Sequence, residues 1–270
     1  MINDKVEKVV NLVNEIRVKM PRLGGKKLYH LLKIPLKSLK IGRDKFFDIL
    51  RANRLLIKPK RQYHVTTDSQ HWFKKHKNLI ENLEITRPEQ VLVSDITYIG
   101  NRDYPMYLSL VTDAYSKKIM GHNLSKNLEA IGANSALKMA IKNCNYSKKS
   151  KRDLIHHSDR GVQYCCDLYQ QTLKKENIQC SMTEKYDPYQ NAVAERINGI
   201  LKQEFLCGIQ TNDFELMEIL IKSSIEIYNE QRPHFSNFML TPEQMHLQSK
   251  LKMRTYKKLK TEYQNDLVLS

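Results

Sequence analysis

The sequence predicts an α/β fold, in which a mixed five-stranded sheet with flanking helices follows a small all-α module of the helix-turn-helix type. Two observations carry this prediction. From residue 91 onward, apolar and β-branched residues alternate as they do in strands, and predicted helices then alternate with two further strands. Before residue 58 the apolar residues instead recur at helical spacing. The chain therefore divides into a helical N-terminal part and a larger α/β core.

Three short amphipathic helices are predicted in the N-terminal part. They span residues 4–20, 24–33 and 42–56, and Pro21 and Pro35 are expected to end the first two. Lys and Arg lie on their outer faces, which suits a helix-turn-helix-like module, although a generic three-helix bundle fits the same pattern. The candidate DNA contacts in this module are Lys26, Lys27, Arg43, Lys45 and Arg51.

The positive charge of the chain is concentrated in this module. Residues 1–62 contain 17 Lys and Arg against five Asp and Glu, which is three quarters of the net charge of +16. Such asymmetry favours a polyanionic partner, with a solubilising surface as the alternative. Residues 63–90 are charge-balanced and are predicted to be a linker with a helical piece near 70–83. Residues 249–270 form a basic C-terminal tail.

The predicted catalytic core covers residues 91–248. Strands are expected at 91–100, 104–116, 117–125, 153–158 and 177–182, and helices at 128–143, 165–176, 188–206 and 213–230. No run of about 18 apolar residues and no leader segment is recognisable. Five cysteines without a CxxC pair favour reduced thiols. These features predict a cytoplasmic protein with no membrane partner.

Two aspartates are expected at one edge of the sheet. Asp95 lies on the first strand, and Asp159 directly follows the fourth. Ligands gather beyond the strand ends of open α/β sheets, so the two carboxylates meet there if the first and fourth strands are neighbours. Paired oxygen ligands favour Mg²⁺ or Mn²⁺.

The segment 190–205 offers a third carboxylate on a helix. At about 100° per residue, one face carries four polar side chains, Asn191, Glu195, Asn198 and Lys202. The opposite face is apolar, with Val193, Ile197 and Ile200, and is expected to pack on the sheet edge or on neighbouring helices. The polar face could present a metal ligand and a phosphate contact together, or it could simply be exposed to solvent.

These residues resemble a known family. Asp159 and Glu195 are separated by 35 residues, and with Asp95 they are similar to the D, D(35)E arrangement of retroviral integrases and insertion-sequence transposases. Five segments resemble, in order, the second-reading-frame transposases of two-frame bacterial insertion sequences. They are VSDITYI, SLVTDAYSKKIMGHNLS, HHSDRGVQY, SMTEKYDPYQNAVAERINGILKQEF and YNEQRPHFSNFMLTPEQ. The resemblance covers about residues 22–248. Leu92 departs from it, because many relatives have tryptophan there.

The resemblance implies a ribonuclease-H-like core that cleaves DNA and transfers strands without a covalent protein intermediate. Two Mg²⁺ or Mn²⁺ ions about 3.5–4 Å apart would be held by the three carboxylates, with Asp95 bridging them. Lys202 is implied to contact DNA near the site. The resemblance also implies a circular excised intermediate. It further implies a homo-oligomer bound to DNA, namely to the element ends and the target duplex, and an upstream-frame product as a partner.

The roles of other motif residues are less constrained. His156 and His157 alternate, so one of them is expected to face the core and the other the site; His157 would shape the metal pocket, contact DNA or be purely structural. Gln163 and Tyr164 are interpreted as substrate-side groups. A catalytically inactive DNA-binding remnant or regulator, and a nuclease acting on RNA–DNA hybrids, remain alternative functions.

Overall fold

A computed structural model describes residues 2–58, 74–101, 103–145, 153–184 and 191–253. Among these residues, no helix is both long enough and apolar enough to cross a membrane. Part of the predicted linker and most of the basic C-terminal tail lie outside the described residues.

Four helices form the N-terminal part: α1 (Ile2–Lys19), α2 (Gly25–Leu31), α3 (Lys33–Ser38) and α4 (Arg43–Ala52). The predicted helices correspond to α1, α2 and α4. The expectation that Pro35 ends the second helix is wrong, because α2 ends at Leu31 and Pro35 lies in the first turn of α3. Proline is tolerated there, since the backbone N–H that it lacks would have no partner within the helix.

Five strands form one sheet: β1 (Val91–Gly100), β2 (Pro105–Asp113), β3 (Ile119–Ser125), β4 (Ile155–Ser158) and β5 (Gln179–Met182). Their order is β3-β2-β1-β4-β5. The first three pair antiparallel as a meander, and β4 and β5 extend the sheet in parallel beside β1. The predicted mixed five-stranded sheet is confirmed.

Helices cover both faces of the sheet. One face packs against α5 (Ala130–Asn143), α6 (Val162–Cys165) and α7 (Asp167–Lys175). Gly121 on β3 is needed for this contact, because a Cβ atom there would collide with the backbone of α5 at Ala136. The other face packs against α8 (Ala192–Ile200) and α9 (Phe214–Gln231), and α10 (Pro242–His246) follows.

The helix that carries Glu195 changes its winding at its C-terminal end. A single α-helix over 188–206 was predicted, but α8 is followed by a π-helical turn at Leu201–Phe205. The backbone N–H of Leu206 bonds to the carbonyl of Leu201 over 2.9 Å, one residue beyond the α-helical partner. Single π turns are often found at functional sites, and this one directly follows the helix that carries Glu195.

The N-terminal helices share a hydrophobic core with the catalytic part. Leu28 and Phe46 belong to the same buried cluster as Ile197 and Leu201. The apolar face of α8 therefore packs partly against the N-terminal module.

Residues 74–90 pack against the sheet, although they were expected to belong to a linker. Residues 74–83 are not helical, so that prediction is wrong for them. Ile80, Leu83 and Ile85 contact the apolar cluster around Val91, and the Leu79 N–H bonds to Ser181 Oγ over 2.9 Å. Leu79, Ile80 and Leu83 also fit helical spacing, and burial against the sheet decides the conformation of this segment.

A candidate catalytic site at the edge of β1 and β4

The sheet places Asp95 and Asp159 on neighbouring parallel strands. Val93 on β1 pairs with His157 on β4. Asp95 lies two residues C-terminal to Val93, and Asp159 lies two residues C-terminal to His157. The expected adjacency of the first and fourth strands is confirmed. Both carboxylates therefore lie at the same edge of the sheet.

Asp95 is held by a hydrogen bond to each of its oxygen atoms. The backbone N–H of Ile96 donates to Oδ1 over 2.9 Å, and Nδ2 of Asn198 donates to Oδ2 over 2.8 Å. Two donors on one carboxylate fix its orientation. The second donor comes from α8, so the strand carboxylate is tied directly to the catalytic helix.

Asp159 is positioned by the turn that follows β4. Its Oδ1 atom accepts a hydrogen bond from the backbone N–H of Gly161 over 2.9 Å. A Cβ atom at residue 161 would lie 3.0 Å from the same Oδ1 atom, which is tighter than ordinary contacts. Glycine at this position allows the backbone to approach the carboxylate closely.

Glu195 lies in the first turn of α8 with its side chain exposed. The helix that carries it is fastened along β1 by polar contacts. Asn191 Nδ2 donates to the carbonyl of Ser94 over 3.0 Å, and Lys202 Nζ donates to Thr97 Oγ1 over 3.4 Å. Together with the Asn198–Asp95 bond, these contacts orient Glu195 relative to the strand.

This packing corrects two of the predicted DNA contacts. Asn191 and Asn198 are both buried and use their amide nitrogens within the protein. The helical spacing correctly grouped them on one polar face, but that face lies along β1 over part of its length. In this structure both side chains are buried and bonded to β1, which does not support their predicted contact with DNA.

The three carboxylates interact electrostatically. Burial, the charge of Asp159 and the charge of Glu195 raise the pKa of Asp95 to about 7, against the opposing effect of its two hydrogen bonds. Burial and the nearby Asp159 also raise the pKa of Glu195. Like charges held close together disfavour each other's ionised form.

The donor chemistry of this cluster suits a hard divalent cation. All three side chains offer carboxylate oxygens, which Mg²⁺ and Mn²⁺ prefer, and a cation would relieve the repulsion that raises the pKa of Asp95. Across the described ranges, no group of three or more His, Cys, Asp or Glu side chains is close enough together to hold a metal ion. The residues fit the ions by charge and ligand type, with Glu195 on the exposed side.

Both histidines before Asp159 are fully buried. His156 Nε2 lies 2.7 Å from Ser94 Oγ and 2.8 Å from the Tyr169 hydroxyl, and burial lowers the pKa of His156 to about 3. His157 Nδ1 lies 2.8 Å from Ser181 Oγ on β5. The prediction that His157 contacts DNA is wrong, because no part of its ring reaches the surface.

Tyr164 contributes a buried hydroxyl near the carboxylates. The residue is 3% exposed, and its hydroxyl has no hydrogen-bond partner within the described ranges. Burial and the charges of Asp159 and Asp95 raise its pKa. The sequence motif marked Tyr164 as interesting, but the position of its hydroxyl follows only from the packing of α6.

The basic residues of the N-terminal module fall into two groups. Lys26, Arg43, Lys45 and Arg51 have exposed side chains. Lys27 is 7% exposed, and its Nζ atom lies 3.3 Å from Oε1 of Glu204. The predicted DNA contact of Lys27 is therefore wrong, since its charge is already used inside the protein.

Comparisons with known proteins agree with this architecture. Two models described as Integrase core domain match residues 85–188 and 176–242. The 31 kDa protein of insertion element IS600 from Shigella sonnei is 34% identical over 196 residues, covering 72% of this chain and 71% of that protein. Transposase InsF of insertion sequence IS3A from Escherichia coli K12 is 34% identical over 197 residues, covering 72% and 67%.

A solved structure shares the fold. A chain of the simian T-cell lymphotropic virus intasome, in complex with PP2A regulatory subunit B56 gamma, superimposes with a TM-score of 0.52 at 17% identity. The superposition covers 87% of this chain and 79% of the viral chain. The matched family models, the two relatives and the arrangement of the sheet lead to one assignment: the chain belongs to the IS3-type insertion-sequence transposases, which carry an integrase core domain.

Proposed function

We propose that this transposase cleaves and joins DNA strands at Asp95, Asp159 and Glu195 with the help of Mg²⁺ or Mn²⁺. The observation that carries the proposal is the arrangement of the three carboxylates. Two come from neighbouring parallel strands, and the third comes from a helix bonded to one of those strands through Asn198. The family assignment supplies the reaction class, which is phosphoryl transfer on DNA.

The three carboxylates hold two divalent ions in this proposal. Asp95, Asp159 and Glu195 would be the residues that hold these ions. When bound, the ions supply positive charge to the scissile phosphate and acidify the attacking water or DNA 3′-hydroxyl. Asn198 and the Ile96 N–H keep Asp95 in the orientation that the ions require.

Lys202 contacts the DNA backbone beside the carboxylates. Its ammonium group approaches Thr97 on β1, and the charge of Asp95 acts on it. Burial lowers the pKa of Lys202, which reflects a partly desolvated cation. A DNA phosphate beside Asp95 would offer that cation a partner of opposite charge.

The exposed cations of the N-terminal module bind the DNA duplex. Residues 1–62 carry most of the excess positive charge of the chain, and Lys26, Arg43, Lys45 and Arg51 extend into solvent. The partners in this proposal are the element ends and the target duplex. The protein works as a homo-oligomer on DNA in the bacterial cytoplasm, with an upstream-frame product as a further partner and a circular excised element as the intermediate.

The proposal is tested by incubating the protein with DNA that carries the ends of its insertion element. Nicked strands and strands joined to a second duplex are expected when Mg²⁺ is present, and neither is expected with EDTA. Binding to the same ends without nicking or joining under either metal would favour the inactive regulator instead. Cleavage of RNA–DNA hybrids without joining would favour the nuclease.

A further inference from the structure

Glu204 is the centre of a buried ionic cluster away from the candidate catalytic site. Arg232, which is 1% exposed, donates from Nε to Oε2 over 2.8 Å and from Nη2 to Oε1 over 2.7 Å. Lys27 donates to the same Oε1 atom over 3.3 Å. One carboxylate therefore serves two buried cations.

The three charged residues come from different parts of the chain. Lys27 lies on α2 of the N-terminal module, and Arg232 directly follows α9. Glu204 lies in the π-helical turn that continues the catalytic helix α8. The backbone N–H of Arg22 also donates to the carbonyl of Glu204 over 3.2 Å. The cluster thus joins the N-terminal module to the helix that bears Glu195.

The composition of the cluster suggests that it has an orienting role. Burial and the neighbouring Arg232 lower the pKa of Lys27 to about 8, although Glu204 opposes the shift. A buried ion pair is costly to desolvate, and apolar side chains of similar size often stabilise a fold as well or better. The apolar residues around Lys27 already join the module to the core. The ionic contact adds a directional link between Nζ of Lys27 and Oε1 of Glu204.

We propose that Lys27 is a positioning residue that fixes the orientation of the DNA-binding module relative to the catalytic helix. A duplex bound by the exposed cations of the module is then held in one position and orientation relative to the three carboxylates. The inference rests on the proposed function, because it assumes that the module binds DNA and that the carboxylates act on it. It predicts that Lys27 affects the reaction of bound DNA without contributing to DNA affinity.

The neighbouring Lys26 provides a matched control. Lys26→Met and Lys27→Met remove the same charge from adjacent positions of α2, one exposed and one buried. Each full-length variant would be assayed for binding of end-containing DNA across a range of salt concentrations. Joining would be measured at DNA concentrations that saturate each variant.

The two variants should differ in the property that they lose, which is salt-dependent DNA affinity for Lys26→Met and the rate of joining for Lys27→Met. Lys26→Met should reduce the magnitude of the slope of log affinity against log salt by about 0.9. Lys27→Met should keep the wild-type slope and affinity but join about tenfold more slowly at saturation, because small misplacements of reacting groups are costly. Lys27→Arg, which keeps the charge, should recover part of the loss.

A structural readout separates this inference from the proposed function. In Lys27→Met, amide hydrogen exchange should accelerate in Gly25–Leu31 and Leu201–Phe205, and it should remain at the wild-type rate in β1. Lys26→Met should change neither segment. The inference is overturned if Lys27→Met changes the salt slope as Lys26→Met does, joins at the wild-type rate, or loses protection throughout the core. Absence of joining by the wild-type protein would overturn the proposed function instead, and the exchange measurement would still decide whether Lys27 links the two parts.

Discussion

Asn198 on α8 donates a hydrogen bond to the Oδ2 atom of Asp95 on β1 over 2.8 Å, and Glu195 lies one helical turn before Asn198. This bond connects Asp95 to the helix that carries Glu195, and both residues are candidate metal ligands. The carboxylate of Asp95 can move relative to the backbone of α8 only if the bond is broken or stretched. Asn198 is therefore expected to set the geometry of the site without contacting DNA.

Replacing Asn198 by Ala should impair catalysis through the geometry of Asp95. A hydrogen bond to a charged group contributes about 1.5–3 kcal/mol, so cleavage should fall about ten- to a hundredfold, and half-maximal activity should require more Mg²⁺. The measurement is a Mg²⁺ titration of cleavage. Asn191→Ala is the comparison, because Asn191 bonds to a backbone carbonyl and not to a candidate ligand, so its loss should raise the Mg²⁺ requirement less than the loss of Asn198. An unaltered Mg²⁺ requirement in Asn198→Ala would rule out the positioning role.

Lys202→Ala should lower cleavage and joining about ten- to a hundredfold while metal affinity stays at its wild-type value. The reason is that Lys202 supplies one charged hydrogen bond to DNA, worth roughly 1.5–3 kcal/mol, and is not a ligand. Thr97→Val removes the partner of Lys202 on β1 but keeps the charge, so it should remain close to wild type. Joining at the wild-type rate by Lys202→Ala would make Lys202 an ordinary surface lysine.

The exposed cations of α4 should account for part of the salt dependence of DNA binding. The double substitution Arg43→Gln and Lys45→Gln should reduce the magnitude of the salt slope by about 0.9 for each phosphate contact that is lost. The control is Lys138→Gln with Lys142→Gln, which removes the same charge from exposed positions of α5. If the α5 variant lowers the slope and the α4 variant does not, the main DNA-binding surface lies on the catalytic core.

The contact between α10 and the start of the sheet should weaken at alkaline pH. Burial alone would lower the pKa of His246, but the neighbouring carboxylates of Asp113 and Glu89 outweigh it and raise the pKa to about 9. Because the folded pKa exceeds the unfolded value of about 6.5, the protonated imidazole stabilises the fold fully below pH 6.5, and this stabilisation is lost as the pH rises through 9. The shift corresponds to at most about 3 kcal/mol.

Urea unfolding of wild type and His246→Gln between pH 6 and pH 10 measures this contribution. The free energy of unfolding of the wild type should exceed that of the variant most at pH 6, and the difference should shrink between pH 6.5 and pH 9 and level off above pH 9. A difference that does not change with pH would show that His246 stabilises α10 only by packing and neutral hydrogen bonds.

The strands and the three carboxylates could be predicted because their signals are local. Alternating β-branched residues identify β1 without knowledge of its neighbours, and the spacing of Asp159 and Glu195 can be read directly. The direction of the polar face of α8 could not be predicted, since helical spacing shows which residues share a face but not what that face contacts. Asn198 looks like a solvent-exposed residue until β1 is placed beside it.

The burial of Lys27 could not be predicted from the charge pattern of the sequence either. Lys26 and Lys27 are adjacent and chemically identical, so composition and net charge treat them alike. Only Glu204, 177 residues farther along the chain than Lys27, distinguishes them. A buried ion pair between distant segments leaves no periodic trace in the sequence. The same holds for residues 74–90, whose conformation depends on contacts with the sheet.

The central claim is that Asp95, Asp159 and Glu195 together hold the catalytic metal ions. The most direct measurement is Mg²⁺-dependent cleavage of end-containing DNA by Asp95→Asn, Asp159→Asn and Glu195→Gln, with circular dichroism and DNA affinity recorded for each. Each substitution keeps the shape of the side chain and removes the charge that binds a divalent ion. All three variants should stay folded, bind DNA at least as tightly as the wild type and lose cleavage. Near-wild-type cleavage by any one of them would remove that residue from the site and contradict the three-carboxylate account.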